Sequence, residues 1–151
     1  MVENHDIQTL NLAEHPFPMY SEDLEKEKGY SDALTQIKGH IAQADGIILS
    51  VNEHNGNPSA YFKNLLDWLS RMERNFLEGT KVLLMSTSGG KRGAKGSLGV
   101  IEGMLPRFGA EVVATFSLPS FYDSFSEDGI LDKDLNAEHQ SAVQSFLDSL
   151  N

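Results

Sequence analysis

Apolar residues along this 151-residue chain alternate between two kinds of block. At 46–51 the run Gly-Ile-Ile-Leu-Ser-Val is nearly unbroken, which predicts a parallel strand buried on both faces. Runs at 81–86 and 111–118 predict two more strands. Between them the spacing changes to three and four. Leu34, Ile37, Ile41 and Ala44 follow Ser31, a good N-cap, and Phe62, Leu65, Leu66 and Leu69 mark a helix over 60–72. Leu98, Ile101, Met104, Leu105 and Phe108 predict a helix over 97–108 that Pro106 terminates or kinks. Leu135, Val143, Phe146, Leu147 and Leu150 predict a closing helix over 135–150.

The first thirty residues are less periodic. Residues 6–12 alternate polar and apolar positions, with Ile7, Leu10 and Leu12, and stop at His15-Pro16-Phe17-Pro18, the pattern of a short strand near a sheet edge. Residues 21–30 are dominated by Glu, Asp and Lys and read as a solvated excursion. Strand and helix therefore alternate four times. That order implies right-handed crossovers and a parallel sheet with helices on its faces, an α/β class of fold, and the length suits one domain over 1–151.

Charge and composition narrow the chemistry. With 22 acidic and 12 basic side chains the net charge is −10, which repels nucleic-acid backbones and anionic lipid, so neither nucleic acid nor membrane is an expected partner. The absence of cysteine excludes disulfides, thiolate metal sites and cysteine nucleophiles. His5, His15, His40 and His139 have no ligand-like spacing, and no metal is expected. No apolar run reaches the roughly 18 residues of a membrane span, and the first residues do not resemble a signal peptide, so a cytoplasmic protein is expected.

Ligands of open parallel sheets bind beyond the carboxyl ends of the strands, which here directs attention to the loops after Val51, Ser86 and Leu118. The first is Asn52-Glu53-His54-Asn55-Gly56-Asn57-Pro58, and the second runs from Thr87 to Gly96 with glycine at 89, 90, 93 and 96. Glycines let backbone approach a flat ligand closely. Each feature has a plainer reading. Asn55-Gly56 can be only a tight turn, Lys63 and Asp67 only a surface pair, and Trp68 only packing. Glu53 and His54 are either an acid–base pair or solvated side chains. Lys91, Arg92 and Lys95 either attract a cofactor phosphate or sit in a solvated loop. Phe116, Phe121, Tyr122 and Phe125 either line a ring-sized pocket or bury against a partner subunit.

The stretch from Glu53 to Trp68 resembles the Glu-Tyr/His-Asn-Gly, Lys-Asn and Asp-Trp signature of the NADPH-dependent FMN reductase family, and Ser88-Gly89-Gly90 with Gly93 resembles its second flavin loop. The resemblance implies a flavodoxin-like, doubly wound, three-layer α/β/α fold. It implies that FMN lies against Asn52, Glu53, His54, Asn55 and Gly56 and against Ser88, Gly89, Gly90 and Gly93, and that hydride passes from NAD(P)H through FMN to a quinone, flavin or similar small acceptor. The flavin carries that chemistry, so no catalytic side chain is assigned. The resemblance further implies a homodimer or homotetramer in which the helix at 63–68 packs across subunits, with Phe62, Leu66, Trp68 and Leu69 as the bulky residues.

Members of that family open with a strand, a Gly-Ser-x-Arg phosphate loop and a helix. Nothing in this sequence matches that first unit, so an N-terminally incomplete domain is expected. In the strand order 2-1-3-4-5 the first strand is central. Without it, backbone groups stay unpaired or the strand at 6–12 closes up beside 46–51. Two other functions fit such a chain, a non-catalytic interaction subunit and a flavodoxin-type electron carrier. Asn55-Gly56 and Lys63-Asn64 resemble the reductases rather than the carriers.

Overall fold

The computed structural model describes residues 5–151. In chain order the elements are α1 (Glu22–Lys28), α2 (Asp32–Gln43), β1 (Gly46–Val51), a two-residue hairpin of β2 (Glu53–His54) and β3 (Asn57–Pro58), α3 (Ala60–Met72), β4 (Lys81–Thr87), α4 (Lys95–Met104), β5 (Glu111–Leu118), α5 (Phe121–Ser124), a second hairpin of β6 (Phe125–Ser126) and β7 (Gly129–Ile130), and α6 (Lys133–Asp148).

Local chemistry sets the helix ends. The Ser31 and Ser59 hydroxyls accept from the amides of Leu34 and Phe62, each at 3.3 Å, satisfying orphan donors at the starts of α2 and α3. Asp132 accepts from the amides of Asp134 and Leu135, both at 2.9 Å, so α6 starts at Lys133, two residues before the expected 135. The helix expected over 97–108 is divided. α4 ends at Met104, and Leu105–Phe108, containing Pro106, forms a 3-10 turn that Gly109 closes at φ 94°.

β1, β4 and β5 form a parallel sheet in the order β1-β4-β5, with Gly46 opposite Lys81 and Lys81 opposite Glu111. Lys81 and Glu111 are also ion-paired at the start of their strands. Val82 and Leu84 enter a core with Leu34 and Ile37 of α2, Leu65 and Leu69 of α3 and Ile101 of α4, whereas Leu83 packs on the other face with Val143 and Phe146 of α6. This is the expected layering of helices on both faces of a parallel sheet.

The amino-terminal expectations need correcting. Residues 6–12 form no strand. Residues 6–11 are exposed, and Leu12–Glu14 is a 3-10 turn capped by Asn11. A strand needs a neighbouring ladder, and the segment does not reach the free edge of β1; instead Leu12, Phe17 and Tyr20 pack onto the core cluster that contains α3. The 46–51 strand is consequently an edge strand and is not buried on both faces: Ile48 is 48% exposed.

Residues 21–30 hold the helix α1, started by Ser21 and ended by Gly29 at φ 65°, with acids in the first turn and lysines in the last; its charges are solvated as expected, and within this stretch only Leu24 and Glu25 are half-buried. Glu25 anchors this helix, accepting from the hydroxyls of Tyr20 at 2.8 Å and Tyr30 at 2.7 Å and from Arg71 Nε at 3.1 Å. The Tyr30 hydroxyl, followed by that of Tyr20, holds the Glu25 carboxyl below its usual range. Both tyrosine rings meet Trp68 edge-on, at 5.1 and 6.3 Å.

The signature residues of α3 turn inward to the same segment. Asn64 accepts from the Tyr20 amide at 2.8 Å and donates to the carbonyls of Phe17 and Pro18, and Trp68 Nε1 donates to Pro18 at 2.8 Å. Phe62, Leu66, Trp68 and Leu69 are all buried within the protomer, so these four do not present an apolar face to a second copy. Lys63 and Asp67 form an i,i+4 surface pair at 2.6 Å.

Candidate functional site

Three loops meet at the carboxyl end of the sheet. In the first, Asn55 and Gly56 both have positive φ, 53° and 76°, the backbone that a tight two-residue hairpin requires, and Asn-Gly supplies it with little strain. The Asn52 side chain lies 3.3 Å from His54 Nε2, and both residues are exposed.

Glu53 behaves differently from the rest of this loop. Its Oε2 accepts from the Ser97 amide at 2.9 Å, and Ser97 Oγ donates to the Asn52 carbonyl at 2.8 Å. Ala94, which precedes α4, is left-handed and makes no side-chain cap, so Glu53 caps α4 from another loop and places a carboxylate at the positive end of the helix dipole. The fit is tight: a Cβ on Gly96 would lie 2.7 Å from Glu53 Oε2 and 3.0 Å from the Gly56 carbonyl.

The second loop is fixed from below. The Ser86 and Ser117 hydroxyls both donate to the Gly93 carbonyl at 2.8 Å, and Gly93 has φ 57°, where a Cβ would lie 3.0 Å from the Leu118 backbone. Gly93 thus shapes the loop from the inside and is buried. The third loop is tied to the second: Thr87 Oγ1 donates to the Leu118 carbonyl at 2.9 Å, the Ser120 amide to Gly90 at 3.0 Å and the Phe121 amide to Ser88 at 2.9 Å. Phe116 is buried, with its ring 5.1 Å from His139, and borders the groove along β5 rather than the surface of the three loops.

What faces outward is specific. Gly89 and Gly90 are exposed, and their amides donate to no group among the described residues. Lys91, Arg92 and Lys95 are exposed, and none is ion-paired among the described residues. Two free amides on a glycine turn beside a hairpin tip can receive the carbonyl-bearing edge of a flat ring, and three cations nearby favour an anionic group. The isoalloxazine ring of FMN fits this donor set. For its phosphate, the described residues provide these cations but no enclosed cradle.

Asn52, His54, Asn55, Gly56, Ser88, Gly89 and Gly90 thus lie on the loops at the open end of the sheet, whereas Glu53 and Gly93 support them. Sequence reasoning did not single out Ser86, Ser97 and Ser117. A signal for Ser97 existed: Ala94 cannot cap α4, so an acceptor had to come from elsewhere. A groove of about 710 Å³ runs from Lys95 and Ser117 along the outer edge of β5 between α4 and α6, lined further by residues such as Leu98, Glu102, Thr115 and Glu138.

An open parallel sheet flanked by helices, with these loops at the carboxyl ends of its strands, places the chain in the flavodoxin-like class. Within that class, residues 1–123 match the family model described as NADPH-dependent FMN reductase, and the chain belongs to that family. A quinone reductase of Escherichia coli strain K12 is 34% identical over 73 residues, covering 48% of this chain and 39% of that protein. An NADPH:quinone oxidoreductase of Arabidopsis thaliana is 34% identical over 80 residues, covering 53% and 40%. The match therefore spans about two fifths of the length of these curated relatives. Among solved structures, the flavoenzyme NAD(P)H:(acceptor) oxidoreductase FerB from Paracoccus denitrificans superposes with a TM-score of 0.76 at 22% identity, covering 99% of this chain and 82% of that one. The apo form of an NADH:FMN oxidoreductase gives 0.69 at 21% identity, covering 86% and 66%; both likenesses are of fold.

Proposed function

We propose that the chain functions as an FMN-dependent NAD(P)H oxidoreductase that passes hydride from NAD(P)H through FMN to a quinone, flavin or similar small acceptor. The observation that carries this reading is the pair of unpartnered amides at Gly89 and Gly90 beside the Asn52–Gly56 hairpin, in a chain of this family. When bound, FMN supplies the hydride chemistry. The protein binds and orients. Gly89 and Gly90 donate to the ring edge, Gly56 leaves room beside the hairpin because nothing lies within 4 Å of where its Cβ would be, and Asn52 offers a side-chain amide. Glu53 is a support rather than an acid or base in this reading, since its Oε2 is directed at the Ser97 amide at the start of α4. Lys91, Arg92 and Lys95 attract the phosphates that this acidic chain would otherwise repel.

The working protein in this reading is one domain, cytoplasmic, and a homodimer or homotetramer as in the family. Because Phe62, Leu66, Trp68 and Leu69 are buried in the protomer, the subunit contact on α3 would use outward residues such as Tyr61, which is exposed. No helix among the described residues is long and apolar enough to cross a membrane.

The test is an FMN titration of the purified chain followed by visible absorbance, with NADPH and then a quinone added. Saturable binding, bleaching by NADPH and recovery on adding quinone are expected. A chain that leaves FMN free at high micromolar concentration would sink the proposal.

A further inference from the structure

Tyr122 is 84% exposed. Single exposed aromatics are common and carry no message. This one stands against the candidate site, on a backbone tied to the glycine loop. Its four-residue helix follows Ser120, which is in the left-handed region at φ 49°, and is tied to the glycine loop by the bonds from the Ser120 and Phe121 amides to Gly90 and Ser88. Behind it, Phe121 meets the Tyr122 ring edge-on at 5.8 Å and itself stacks on Phe125 at 5.2 Å. In front, the ring occupies the place of a side chain at position 89: a Cβ on Gly89 would lie 2.8 Å from Tyr122 Cε2 and 3.2 Å from Cδ2. Glycine at 89 thus allows the ring to stand directly on the loop whose amides have no protein partner. The Tyr122 hydroxyl makes no hydrogen bond among the described residues, so what the side chain presents is its ring.

We propose that Tyr122 is a specificity-determining residue, the aromatic wall against which a flat, uncharged electron acceptor of the quinone class lies. The assignment rests on the reading of Ser88 to Gly90 as the ring-binding loop. A quinone has no charge for Lys91, Arg92 or Lys95 to grip, so its affinity must come largely from its π-face, and an aromatic ring standing on the flavin-binding loop supplies a partner for that face. A nicotinamide dinucleotide carries phosphates that the cations can hold and depends less on the wall.

The test compares the full-length wild type, Tyr122→Ala and Tyr122→Phe, each with FMN in excess and NADPH as donor, using a naphthoquinone and ferricyanide as acceptors. Ferricyanide is an octahedral anion that gains nothing from stacking. In Tyr122→Ala the KM for the naphthoquinone rises about five- to tenfold, the worth of one aromatic contact, while the KM for NADPH, the FMN affinity and the ferricyanide rate stay within about twofold. Tyr122→Phe behaves as wild type. An unchanged naphthoquinone KM in Tyr122→Ala, or a parallel loss with both acceptors together with weakened FMN binding, overturns the assignment while leaving the reductase reading intact. A wild type that neither binds FMN nor oxidises NADPH overturns both.

Discussion

Ser97 joins two of the three loops, and replacing it by alanine tests whether that junction holds the candidate site. The side chain is completely buried. Its hydroxyl makes one bond, to the Asn52 carbonyl at 2.8 Å, while its amide bond to Glu53 at 2.9 Å survives the substitution. Leaving a buried acceptor unpaired costs about 1–3 kcal/mol, and because Asn52 is an exposed residue whose carbonyl regains some water, the low end applies. Ser97→Ala should therefore lose about 1 kcal/mol in urea denaturation and about 2–4 °C in Tm for a chain of this size. If the loss falls on the ordering of the hairpin, FMN binding weakens by up to about fivefold in the titration described above. Glu53→Ala removes the cap of α4 and should cost a similar amount, about 1 kcal/mol, whereas Glu53→Gln keeps an acceptor and should cost less. Because both residues belong to one junction, the double variant should fall short of additivity by about 0.5 kcal/mol or more. Stabilities within about 0.3 kcal/mol of wild type for each single variant, with additive effects and unchanged FMN affinity, would refute the reasoning.

Gly93→Ala places a Cβ 2.4 Å from Ser117 Oγ and 3.0 Å from the Leu118 backbone at φ 57°, so clash and left-handed strain together should cost about 3 kcal/mol, or roughly 6–12 °C in a thermal melt. Asn64→Ala unties the Tyr20 amide and the Phe17 and Pro18 carbonyls, so chymotrypsin should cut after Tyr20 well before it cuts the wild type. Burial lowers the pKa of His139, so the unfolded chain binds more protons below the ordinary value of about 6.5. Stability should fall as pH drops through about 6.5 and level off below the folded value, and His139→Gln should flatten that limb in melts between about pH 7.5 and pH 5.

Much of the middle and end of the fold was legible because its blocks are long and strongly periodic. The strand at 46–51, the helix at 60–72 and the strand at 111–118 follow from an apolar run, an N-cap and a helical stripe, all local properties, and their alternation implies a parallel sheet. Asn55-Gly56 was likewise readable as a turn, since a two-residue hairpin needs positive φ at both positions. Partnership was not readable. Residues 6–12 have a strand's alternation but no ladder, and Ile48 belongs to an apolar run but lies on an edge, because pairing and burial depend on neighbours distant in the chain. Residues 21–30 look like surface by charge, yet Glu25 gathers Tyr20, Tyr30 and Arg71 from both sides in sequence. Within the candidate site, sequence located the loops by their glycines. Only the tertiary structure divided them, assigning Gly93 to the buried frame, Glu53 to the cap of α4, and Gly89 and Gly90 to the open side. A hydrogen-bonding group is spent or free according to what folds against it, and that is a property of three dimensions.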